Sequence, residues 1–173
     1  MNKLTRMLTA TGLAAAAAGG LVLGVSAHAA AEVPASASIR VDGRFDLVDD
    51  DWDYDPTAYE YVSKPVVIAK GTSQTVIIKS RVCAGAEVRG ELRLFVAYYT
   101  NGNLFVSGDG SDDGVRLYEG TSCSTTDLDG ISSIYGPGTL AVGQRSPQRA
   151  SAGNVDEGGN DRASVELTIT RTT

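Results

Sequence analysis

The chain is poor in the residues that most enzyme chemistry uses. Its 173 residues include one histidine, two methionines and two cysteines. His28, Met1 and Met7 all fall in the first thirty positions. That segment reads as a secretory signal peptide. Lys3 and Arg6 make a basic start, and Gly12 to Val25 is a run of small and apolar residues. Ala27-His28-Ala29 then has the small-x-small pattern of a cleavage site. Cleavage after Ala29 removes 29 of the 173 residues and leaves 144, with no imidazole among them. A Ser-His-Asp triad, a Cys-His pair and histidine-bound zinc are thereby excluded from the mature chain.

Long apolar runs are also lacking. A helix needs roughly 20 apolar residues to cross a bilayer. The run ending at Val25 is shorter and is broken by Gly19 and Gly20. No cysteine near the cleavage site offers a lipid anchor, and no second apolar stretch follows. Basic residues are scarce too. Without Lys3 and Arg6 the chain keeps 13 Lys and Arg against 21 Asp and Glu, a net charge of −8. Phosphate binding needs a basic patch, so nucleic acid and anionic membrane are excluded as partners. The expectation is a freely secreted, extracellular monomer whose partner is a protein or a glycan.

Two cysteines in an exported chain most often form one bridge, so Cys83 and Cys123 are expected to be paired. The loop so closed is about 40 residues, for which the chain-entropy account gives roughly 4 kcal/mol.

Past the signal the apolar pattern has period two, and no segment has helical spacing. Gln74 to Cys83 alternates, with Val76, Ile78 and Val82 on one face. Arg89 to Ser107 reads as a hairpin about Asn101-Gly102, a dipeptide suited to tight turns. A two-residue turn there pairs Tyr98 with Phe105. Val115 to Tyr118, Thr139 to Val142 and Ala163 to Thr170 read as further strands, with Val165, Leu167 and Ile169 inward. Ala30 to Ala37 reads as a flexible lead-in, and the polar, Gly-rich stretch from 143 to 162 as a mobile loop. The fold expected over residues 38–173 is a single all-β domain. It is an antiparallel β-sandwich of seven to nine short strands, an Ig-like Greek key first and a jelly roll second.

The sharpest chemical feature is acidic. Asp49, Asp51, Asp53, Asp55 and Glu60 fall at positions 1, 3, 5, 7 and 12 of a loop. Those are the oxygen-ligand positions of a helix–loop–helix calcium site. Tyr54 stands where that loop needs glycine, Pro56 follows, and the flanks read as strand. The helix–loop–helix module is therefore rejected, and two readings stay open: a solvated acidic edge whose like charges discourage aggregation, and a calcium site of other geometry. Three more acidic turns occur at 109–114, 127–130 and 156–161, each also explained by ordinary turn chemistry. Trp52, Tyr54, Tyr59 and Tyr61 lie close in sequence. Exposed and coplanar, they would make a sugar- or protein-binding face; otherwise they cap the core.

Three functions fit these residues. The first is a non-enzymatic extracellular domain with a binding or structural role, stabilised by calcium if the acidic loop binds it. The second is a protein ligand such as a protease inhibitor, using the bridge-tethered stretch from Ser124 to Ile134. The third is a small hydrolase working with a carboxylate pair. An exposed aromatic patch would favour a binder, and two carboxylates across a cleft would favour a hydrolase.

Overall fold

A computed structural model describes residues 32–50, 55–109, 112–154 and 160–173. The expected signal peptide lies outside the described residues, as do Asp51, Trp52, Asp53 and Tyr54. The described chain is all strand and loop. In order it forms β1 (Ser36–Val48), β2 (Thr57–Ala69), β3 (Thr72–Lys79), β4 (Arg89–Tyr98), β5 (Leu104–Gly108), β6 (Gly114–Tyr118), β7 (Leu128–Ser132), β8 (Ile134–Leu140), β9 (Arg145–Gly153) and β10 (Arg162–Arg171).

The strands make two antiparallel sheets. Sheet A has the order β2-β1-β10-β9. Sheet B is built around β4. β3 runs along one edge of β4, from Tyr98 to Glu91. The other edge is shared. β5 pairs with Phe95 to Tyr98, and β6 with Arg89 to Arg93. β5 and β6 are thus one line of strand, interrupted at 109–113. β8 pairs with β5 and β7 with β6, so the next line is interrupted as well. Sheet B is four strand lines wide, like sheet A.

The chain passes from sheet A to sheet B between β2 and β3, and returns between β8 and β9. Around the pair of sheets, each strand line lies beside the next in sequence, and β10 closes onto β1. This is a meander, in place of the expected Greek key or jelly roll. Apolar alternation specifies which face of a strand is buried. It does not specify which strand lies next to it, and here the short connections keep neighbours local.

The core forms between the sheets from alternate residues. β1 contributes Ile39, Val41, Phe45 and Leu47, and β10 contributes Ala163, Val165, Leu167 and Ile169. From sheet B come Leu92, Leu94, Val96 and Tyr98, with Leu104, Val106, Val115 and Leu117. All but Ala163 are β-branched or large apolar residues on a pleated surface with one dry face. Val165, Leu167 and Ile169 point inward as their alternation requires.

Four local expectations are corrected. The hairpin of β4 and β5 is present, but Tyr98 pairs with Leu104, one residue off the expected register. Five residues, 99–103, make the turn, with Gly102 at φ +89° and the amide of Tyr99 donating to Asn103 O at 2.9 Å. The lead-in is partly strand, since Ala37 is fully buried in β1. Much of the expected mobile loop at 143–162 is β9, paired with β10 from Arg145 to Gly153. β9 buries only small side chains such as Ala152, so apolar patterning could not reveal it. Finally, Leu128 to Gly130, read as a turn, opens β7.

Gly90 of β4 sits where sheet B packs closely on β1 of sheet A. A Cβ there would lie 2.9 Å from the ring of Phe45 and 3.1 Å from Leu47. Gly90→Ala is expected to cost about 1–3 kcal/mol by overpacking. In urea titrations, Gly90→Ala combined with Phe45→Leu should cost less than the two single changes summed. Simple additivity would refute the contact.

Candidate functional site

Four connections gather at one end of the two sheets. They join β1 to β2, β3 to β4, β6 to β7, and β9 to β10. The Cys83–Cys123 disulfide ties the second to the third, as the sequence led us to expect. Three of the acidic segments meet here.

Asp161 is buried, and its Oδ1 accepts from the amide of Asp50 at 2.6 Å. The Asp50 carboxylate in turn accepts from Asn160, from the backbone at 3.0 Å and from Nδ2 at 2.7 Å. Those bonds from Asn160, with one to Asp55, hold the Asp50 carboxyl below its usual range. Asp129 accepts from the amide of Glu119 at 2.9 Å, and Asn154 donates to Glu119 at 2.8 Å. Glu119 also shares a hydrogen bond with Asp161. The acidic loops are thus held together by one another's amides and by carboxyl–carboxylate contact.

The expected calcium ligands are placed as follows. Asp49 is buried and packs against Gly85, whose φ is +55°. A side chain at Gly85 would overlap the Asp49 carboxylate. Asp55 is exposed and bonded to Asp50. Glu60 is buried on β2 and accepts from both the amide and Nε of Arg81, each at 2.5 Å. The amide of Asp49 bonds to Pro56, so Glu60 lies four residues further along the strand. That is about 13 Å at ~3.3 Å per residue. Among the described residues, no group of three or more His, Cys, Asp or Glu could hold a metal ion. Asp51 and Asp53 lie outside the described residues.

The aromatic residues divide. Tyr98 and Tyr118 are buried, whereas Tyr59 and Tyr61 are 68% and 69% exposed. Both stand on the outer side of β2, with Val67 further along at 64%. Their rings are 6.2 Å apart and inclined at 76°, so they form a wedge and not a flat platform. Beside Tyr61, Arg44 is paired with Asp46 at 2.9 Å. The Tyr61 hydroxyl and Asp46 both favour its charged form.

The stretch from Ser124 to Ile134 is largely engaged. Thr125 O accepts from Arg89 at 2.7 Å, Leu128–Ser132 is β7, and Ile134 is buried. The carboxylate pairing of Glu119 with Asp161 was not legible in sequence, because Glu119 lies outside every acidic run. No protein-family model, curated protein or solved structure matches this chain.

Burial first, and then the Asp161 contact, push the Glu119 carboxyl up to about 7. In the unfolded chain it returns to the ordinary glutamate value of 4.5. Between those values the folded state holds the extra proton, so stability falls as pH rises. The denaturant midpoint of the oxidised protein should decline from pH 5 to pH 8, and Glu119→Gln should flatten that decline. Equal slopes for the two proteins would show that the contact does not titrate.

Proposed function

We propose that the chain works outside the cell as a non-enzymatic binding domain, and that the outer surface along β2 is its binding face. The exposed Tyr59–Tyr61 pair carries this reading. Large apolar surface with a polar tip, held on a rigid strand, supplies binding energy at low entropic cost. The inclined rings favour a protein over a glycan. A sugar chain stacks on flat aromatic faces, whereas a wedge accommodates side chains. The disulfide is consistent with an oxidising compartment.

The hydrolase reading has less support. Retaining and inverting glycosidases hold their carboxyl groups roughly 5–9.5 Å apart. Glu119 and Asp161 are in direct hydrogen-bond contact, and Asp161 also serves the Asp50 amide.

A photo-crosslinking residue placed at Tyr61 should capture a discrete extracellular protein from the medium or cell surface of the producing organism. The same residue at Ser151, an exposed position on β9 across the same sheet, should not. Tyr59→Ala should weaken capture at position 61 by several fold. Equal capture at both positions, or none at either, would overturn the reading.

A further inference from the structure

β2 is the last strand of sheet A and β3 the last of sheet B, so each presents an edge that no described strand covers. The two edges face each other. They are joined at the 70–71 turn, where Gln74 Nε2 donates to Val67 O at 3.3 Å. They are joined again at the far end by the Glu60–Arg81 ion pair. Between these ties they part into an open seam. One hollow of about 330 Å³ lies between Lys64–Val67 and Gln74–Ile77. A second, also of about 330 Å³, lies between Glu60–Lys64 and Ile77–Arg81. The hollows meet at Lys64 and Ile77. From Glu60 to Val67 the seam spans seven steps of strand, about 23 Å at ~3.3 Å each.

Its floor is apolar. Val66, Val76 and Ile78 keep 6–8% exposure, where Leu92, Leu94 and Val96 have none. Ile77 on the lip is 43% exposed. Its rim is basic. Apart from Lys3, every lysine of the chain (Lys64, Lys70 and Lys79) lies on β2, on β3 or in the turn between them. Lys64 has no ion-pair partner among the described residues. Lys79 is 3.6 Å from Glu91, whose other oxygen is held by Arg93. The one acid in the lining, Glu60, is engaged by Arg81. On a chain of formal charge −6, this is a cationic seam.

We propose that the β2–β3 seam is a docking groove for an extended, acidic segment of a partner protein, which adds as a strand along these edges. This rests on the binding face proposed above and names the chemistry of its partner. Main-chain bonds to an open edge supply affinity, and alternate side chains supply specificity. Apolar residues of the segment enter over Val66 and Val76, and its carboxylates reach Lys64, Lys79 and Arg81. The Lys64-Pro65 pair is the kind of guard that edge strands carry. Guarding by lysine is selective. It repels a second copy presenting the same lysines and admits a strand of opposite charge.

The test pans a phage-displayed library of random 12-residue peptides on the oxidised protein, then synthesises the enriched sequence. Enriched peptides should alternate apolar residues with Asp or Glu. Amide exchange should slow at 60–67 and 74–79 on binding. Fluorescence anisotropy should show at least a tenfold loss of affinity in Lys64→Glu with Lys79→Glu, and a smaller loss in 0.5 M salt. Lys64→Gln, at an exposed position, carries the test if the double variant unfolds. No enrichment, enrichment without acidic bias, protection elsewhere, or undiminished binding to the variants would each overturn the proposal. So would a dimer, seen by sedimentation, that Lys64→Glu dissolves. Site-specific crosslinking at Tyr61 with failure here would remove the strand-docking proposal alone.

Discussion

The pairing of β1 with β10 is the constraint on which the rest depends. These strands come from the two ends of the described chain, and they join in register from Ile39 opposite Arg171 to Val48 opposite Arg162. They are the two central strands of sheet A. Without this ladder β2 and β9 would be edges of nothing, and the apolar face of β10 would have no sheet to belong to. Arg171 secures the far end. Its guanidinium donates to Leu140 O at 2.9 Å and Gly102 O at 3.1 Å, and it lies 5.5 Å from the centre of the Tyr98 ring. A ladder that closes last in sequence has the highest loop-closure cost, so a fold of this kind assembles slowly for its size.

The two ends of the sheets are held by different means. One end closes with apolar and main-chain contacts, around Tyr98, Gly102 and the chain terminus. The other carries the longer connections, of which that from β3 to β4 buries Ala84 and Val88. There the disulfide and a web of amide–carboxylate bonds add to the apolar burial. Burial there, with the Asp161 contact, raises the proton affinity of Glu119 and displaces its carboxyl upward. The outer face of sheet B follows a similar logic. Glu91 is buried there, and burial raises its carboxyl. Arg93, Lys79 and Tyr118 more than offset this and leave it below its usual range.

A meander closed at β1–β10 leaves its four sheet edges in two pairs, where the chain changes sheets. The β8–β9 corner brings backbones close, since a side chain at Gly130 of β7 would collide with the Gly153 carbonyl. The β2–β3 corner is instead tied at its two ends, by the Glu60–Arg81 ion pair and by the 70–71 turn, and parts between them. Exposed tyrosines, basic residues and unpaired strand edges therefore coincide on β2 through topology and not through a local motif.

What the sequence determined by itself was local or compositional. Alternation at Leu92 to Tyr98 and Val165 to Ile169 specified strands and their buried faces. Asn101-Gly102 specified a hairpin, and two cysteines specified a bridge. Each of these depends on neighbours a few residues away, or on there being only one pairing to make. Tertiary structure alone decided the rest. The hairpin register moved by one residue because five residues, not two, form its turn. β9 became a strand because β10 offered an edge, despite its small inward side chains. Glu60, spaced like a calcium ligand, was taken by Arg81, 21 residues away. Glu119 met Asp161 because two loops share one end of the sheets. Strand order, and with it the seam between β2 and β3, is a property of which surfaces find each other, and a periodic pattern carries no address for its partner.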